Sequence, residues 1–145
     1  MTHLNPKEIK QRIVAAGLEV YRTTGQEVVI AERVRDNLIL DSGVRVRAGE
    51  PMEVSIVMGL RRGQYPNESD DQVFARLRQL AAPAMGHGFN EKKSGMAPVT
   101  DPADAKHTLD TFFEIVLAKE EPDLEAMLTL VRFALTIAQT AESRH

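Results

Sequence analysis

Cysteine is absent from this chain, which excludes disulfide bonds, thiolate nucleophiles and cysteine-ligated zinc together. No apolar run approaches the roughly 18 residues of a membrane span. The first residues, Met1-Thr2-His3-Leu4-Asn5-Pro6, lack the basic-then-apolar pattern of a signal peptide, so a cytoplasmic location without membrane contact is expected. Neither sign of charge dominates. Eighteen lysines and arginines stand against 21 acidic residues, a net charge of −3, which indicates neither a basic nucleic-acid binder nor an acidic solvating tail. Internal repeats and low-complexity tracts are missing too. What remains is ordinary: 145 residues, 43% hydrophobic and 27% charged, enough for one domain that buries a sizeable core without metal or disulfide staples.

The hydrophobic period changes along the chain in an informative order. Asn5 can cap a helix, Pro6 suits its first turn, and Glu8 is placed as a capping-box partner. Ile9, Ile13, Ala16 and Val20 then repeat at helical spacing, and Gly25 offers a stop. From Glu27 to Leu60 the period falls to two. Val28 and Ile30, Leu38 and Leu40, Val44 and Val46, and Met52, Val54, Ile56 and Met58 mark strands separated by turn residues. Gly43 either closes a tight hairpin or bulges one long strand. Turns this short require antiparallel neighbours.

Ser69 opens a second capped helix that carries Val73, Phe74, Leu77 and Leu80 and ends near Pro83. Phe89 to Lys93 reads as a short strand, residues 94–106 as a flexible loop, and Leu109 to Leu117 as the most apolar strand. Pro122 opens a closing helix with Leu124, Leu128, Val131, Leu135 and Ala138 on one stripe, widened by Leu130, Phe133 and Ile137. The expected fold is therefore a single α+β domain with an antiparallel sheet of about five strands. Its order is helix, three or four strands, helix, two strands, helix.

This order, with its strand block over 26–60 and its closing helix over 122–141, resembles the type III secretion chaperone-like fold. It is similar, too, to related bacterial domains described as sensory-transduction regulators. The likeness runs from Asn5 to about Ala141 and is one of element order, without a diagnostic motif. It implies a non-enzymatic, dimeric domain that binds another polypeptide and has no catalytic residues to carry over. Secretion chaperones are often more acidic than this chain.

Candidate chemistries are few. Asp101, Asp104 and His107 recur at a spacing of three, yet Pro98 and Pro102 place them in a loop, where aspartates cap turns. His3, His87 and His145 are dispersed, so no metal site is expected. Gly86-His87-Gly88 is too short for a phosphate cradle and is followed by a strand. Serines and threonines occur without a context that would activate a hydroxyl. No catalytic residue and no cofactor are assigned. Between residues 27 and 66, Arg33, Arg35, Arg45, Arg47, Arg61 and Arg62 are matched by six acidic residues, so the segment is neutral and nucleic acid is not an expected partner.

The two faces of the sheet say more. If Val54, Ile56, Phe113 and Ile115 face the helices, pleating puts Val57, Phe112 and Val116 on the opposite face, bordered by Arg45, Arg47, Glu53 and Glu114. An apolar strip rimmed with charge marks an interaction surface. A polypeptide partner or a twofold homodimer is expected there, and five internal methionines are mostly core filler. The alternative function is small-molecule sensing or transfer, with a pocket between the sheet and the closing helix.

Overall fold

The computed structural model describes residues 4–142, and side chains through residue 139. His3 and His145 lie outside the described residues. Three helices pack on a six-stranded antiparallel sheet of order β1-β2-β3-β4-β6-β5. The elements are α1 (Pro6–Ala15), β1 (Val20–Thr24), β2 (Glu27–Arg35), β3 (Leu38–Arg47), β4 (Met52–Arg61), α2 (Asp70–Gly86), β5 (Asn90–Asp101), β6 (Asp104–Glu121) and α3 (Leu124–Glu142). The α+β class holds, with six strands in place of about five.

Helix α1 starts as its sequence dictates. The Asn5 side chain accepts from the Glu8 amide at 2.9 Å, and the Glu8 carboxylate accepts from the Asn5 amide at 3.4 Å. It ends earlier than its periodicity suggests. Gly17, at φ +88°, breaks the helix just after Ala16, because only glycine takes this conformation without a Cβ clash. The β-branched and aromatic run Val20-Tyr21-Arg22-Thr23-Thr24 then pairs with β2 as the sixth strand. Gly25, expected as a helix stop, sits in the β1–β2 turn at φ +59°.

Strand β3 is one strand with a bulge. Asp41 pairs with Ala31 and Arg45 with Val29, so β3 carries extra residues here opposite Ile30. The bulge is held internally: Ser42 Oγ donates to the Ile30 carbonyl at 2.6 Å, and the Asp41 carboxylate accepts from the Gly43 amide at 2.8 Å. Gly43 has φ +85°, and a Cβ there would lie 2.7 Å from the Val57 carbonyl oxygen.

Ser69 and Gln72 form the capping box of α2, whose buried face is Val73, Leu77, Ala81 and Ala84. Phe74 and Leu80 flank it as half-buried residues. The helix runs past Pro83 to Gly86. The backbone bond that proline forfeits would join it to residue 79, and Pro83 and Gln79 are both exposed, where water can satisfy the freed carbonyl. The expected loop over 94–106 is instead a long hairpin: β5 and β6 pair from Asn90↔Ala118 out to Asp101↔Asp104. Its sequence concealed this, because Pro98 sits on an edge strand where a missing amide costs no ladder bond. Asp123, one residue after Pro122, caps α3 through a 2.9 Å bond from the Ala126 amide.

All three helices bury their apolar stripes against one face of the sheet. Ile9 and Ile13 from α1, Leu77 from α2, and Met127 and Val131 from α3 join Val28, Ile30, Val46, Val54, Ile56, Phe113, Ile115 and Leu117 in one core. Phe113 anchors it, meeting Phe74 edge-on at 5.2 Å between ring centroids while the Arg62 guanidinium lies over its ring. The three most buried internal methionines, Met52, Met58 and Met127, are core filler as expected, and Met96 is exposed. No helix among the described residues is long and apolar enough to cross a membrane.

Exposed ion pairs tie the periphery. Arg33 forks onto Glu19 and Arg76 onto Glu68, and these hydrogen bonds hold both carboxyls below their ordinary value. Carboxyls lowered in the folded state stabilise it above their unfolded-state value, and lose that contribution as pH falls through the folded one. The acid limb of a melting-temperature profile is therefore expected to flatten in Glu19→Gln and Glu68→Gln; an unchanged limb would show that solvent screens both pairs completely. Gly43→Ala is expected to cost about 1–3 kcal/mol in urea unfolding, from backbone strain plus the clash with Val57. Phe113→Ala is expected to cost about 3–5 kcal/mol.

Candidate partner-binding face

The face of the sheet away from the helices is built by alternation along β2, β3, β4, β6 and β5. On β4, the side chains of Val54, Ile56 and Met58 enter the core, so Glu53, Ser55, Val57 and Arg61 present theirs to the outer face, with Gly59 at the same parity. Register then fixes who meets whom. Val57 stands opposite Val116, which in turn stands opposite Lys93. Gly59 stands opposite Glu114, and Arg61 opposite Phe112. One row away, Val29, Arg45, Ser55 and Ala118 line up across four strands, and beyond them Glu27, Arg47 and Glu53.

All six residues expected at the site, Arg45, Arg47, Val57, Phe112, Glu114 and Val116, thus lie on this one face, and Glu53 lies with them. Val57 and Phe112 are half-buried, while Val116 keeps only 8% of its surface exposed. Val29, just as hidden at 3%, belongs to the same face and not to the main core. Charged side chains provide the cover, since long stems lie along apolar surface while their heads reach water. Lys92 is the extra residue of a bulge between Glu91 and Lys93, and it crosses β6 to place its Nζ 2.8 Å from Glu53 on β4. Arg45 Nη2 contacts Asp41 at 3.3 Å, and its Nε–H is buried without an acceptor among the described residues. Arg47, Arg61 and Lys93 form no ion pair among the described residues.

Two concavities meet at Val57 and Arg45. The first, about 470 Å³, is floored by Val57, Val116 and Ser55 and walled by Arg47, Lys93 and Glu27. The second, about 440 Å³, opens where β3 and β4 part company. These strands pair only from Arg47↔Glu53 to Val44↔Ile56. Past the Gly43 bulge they diverge, with Asp41 and Ser42 on one bank, residues 57–61 on the other, and Leu80 of α2 and Ala138 of α3 reached from the helix side.

Phe112 has a seat that the strand pattern alone did not disclose. Its ring lies over Gly59, where a Cβ would collide with it. Aromatic rings cover cross-strand glycines in this way and shield the bare backbone. The signal in the sequence was a glycine inside a strand, which marks a close approach. Lys92, Lys93 and Gln64 carried no such signal, because a bulge and a turn bring them here.

The remaining candidates resolve into local structure. Asp101 Oδ1 accepts from the Ala103 amide at 2.9 Å and Asp104 Oδ1 from the Lys106 amide at 3.1 Å, so both aspartates hold the tip of the β5–β6 hairpin. Among the described residues no three acidic or histidine side chains converge on a point that could hold a metal. His87 ends α2 and stacks on Phe133 at 3.9 Å, and Gly88, at φ +102°, turns the chain into β5. Compared with known families, curated proteins and solved structures, the chain matches none.

Gly59→Ala is expected to dislodge Phe112 from the outer face at a cost of about 1–3 kcal/mol, the usual range for overpacking. The aromatic proton shifts of Phe112 check this. Ring signals unmoved in the variant would show that the ring is not seated on Gly59.

Proposed function

We propose that this chain is a non-enzymatic polypeptide-binding domain, chaperone-like or a regulatory adaptor, that works through the outer face of its sheet. One observation carries the reading. Val57, Val116 and Phe112 form an apolar floor across β4 and β6 on a face that no helix of the described chain covers, with unpaired cations at its rim. Apolar surface rimmed by charge supports contact with another protein, because burial supplies affinity and the rim supplies orientation.

A homodimer is part of the same proposal, as is a cytoplasmic setting.

Replacing Val57 and Phe112 together with aspartate is expected to abolish capture of the physiological partner while leaving the circular dichroism spectrum intact. The test is a tagged pull-down of both proteins from the source lysate, read by mass spectrometry. A stoichiometric partner retained equally by the folded double variant would refute the outer face as the binding surface.

A further inference from the structure

Sheets invite strand addition wherever backbone N–H and C=O groups are left unpaired. Here the two terminal edges are guarded. At one end, β1 has only five residues and a bulge between Val20 and Arg22. At the other, β5 carries a bulge, Lys92, Lys93 and Pro98. Short strands, bulges, lysine and proline are the devices that discourage a further strand. The third edge lies inside the sheet and carries no bulge, lysine or proline of its own.

That edge is β4 beyond Ile56. The Val57 carbonyl oxygen lies beside Gly43, on the β3 side. Backbone groups of alternate residues in an antiparallel strand point the same way, so the N–H and C=O of Gly59 are directed into the split as well. β3 no longer pairs there, and among the described residues no side chain, and no backbone group outside the strand ladders, hydrogen-bonds to Gly59. The next amide in this series, Arg61 N–H, is already capped by the Gln64 side chain at 2.9 Å, which sets the far end of the free stretch.

Resting on the polypeptide-binding reading above, we infer that the partner enters as a strand: an extended, proline-free segment adds to the β4 edge at Val57–Gly59, inside the β3–β4 split. The chemistry of the split selects this occupant. Its unpaired groups repeat as donor and acceptor along a strand, a pattern that another extended backbone matches residue by residue. Leu80 and Ala138 present apolar surface to alternate side chains on the helix side, and Val57 and Phe112 receive the others on the outer side. Arg61 and the incompletely satisfied Arg45 stand at the mouth against a single carboxylate, Asp41, which favours neutral or acidic residues in the segment over basic ones. The cavity continues directly from the Val57 end of the outer-face floor, so one segment can occupy both.

The experiment is amide hydrogen exchange by NMR on the intact chain. It is run alone and with an acetylated, amidated peptide of alternating threonine and valine that has a glutamate at each end. A second peptide of the same sequence, N-methylated at every backbone amide so that neither edge can donate, is the control. Alone, the Gly59 amide is expected to exchange freely while those of Ile56 and Met58 are protected. With the parent peptide Gly59 protection is expected to rise by roughly tenfold or more, and with the methylated peptide it is expected to stay unchanged.

A Gly59 amide already protected in the free chain overturns the inference, and protection that grows with protein concentration assigns the split to a second copy of this chain. Equal protection by both peptides overturns it in favour of a ligand held without backbone pairing, such as a small amphipathic molecule. Peptide-induced shifts at Val57 and Val116 with Gly59 unprotected would overturn strand entry and leave the outer-face reading standing. Gly59 left unprotected by the parent peptide, with no shift anywhere on the outer face, counts against both.

Discussion

The pairing of β4 with β6 governs this molecule. From Met52↔Glu121 to Arg61↔Phe112 the two strands match without a bulge, in the interior of the sheet. Because side chains alternate with a period of two, this one register decides that Val54, Ile56, Met58 and Leu60 enter the core beside Phe113, Ile115 and Leu117. By the same step it places Val57, Val116 and Phe112 outside. A slip of one residue would exchange the two sets and expose the core. The apolar outer row is therefore tied to the stability of the fold and is not an independent addition to it.

The asymmetry of the sheet follows from this pairing and from the connections. Helix α1 covers β1 and β2, α3 covers β3 and β4, and α2 covers β4 and β6, all from one side. The other side is left to its own side chains, among them Arg45, Lys92 and the ring of Phe112. Such cover is removable, since turning a surface side chain away costs far less than opening a packed core. The bulge at Gly43 adds a second asymmetry, for it bends β3 away from a β4 that continues straight along β6. The split proposed to accept a partner strand thus sits where the ladder is interrupted, beside strands that are otherwise firmly paired.

Much of the fold was legible from the chain. The Asn5 and Ser69 capping boxes marked two helix starts because side chains three residues apart decide them. The alternation through 27–60 marked strands because half-burial imposes a period of two. Local rivalry blurred the rest. Residues 16–24 fit a helical stripe until Gly17 and a β-branched run are weighed against it, and the hairpin over 94–106 was concealed by prolines that an edge strand tolerates. The helix through Pro83 was equally hard to foresee, because it depends on which carbonyl faces water. For the site, parity alone placed Val57, Phe112 and Val116 together, while the seat of Phe112 on Gly59 and the reach of Lys92 over β6 depend on register and bulges.

The sequence by itself determined the class of fold, the antiparallel sense of the sheet and the division of β4 and β6 into an inner and an outer face. These follow from local period, capping and turn length, which act over a few residues. Only the tertiary structure decided the strand order, the continuity of β3 through Gly43 and the split between β3 and β4. Those depend on which distant backbone groups find each other. Pairing energies of that kind are set by the whole sheet, so no short window of sequence carries them.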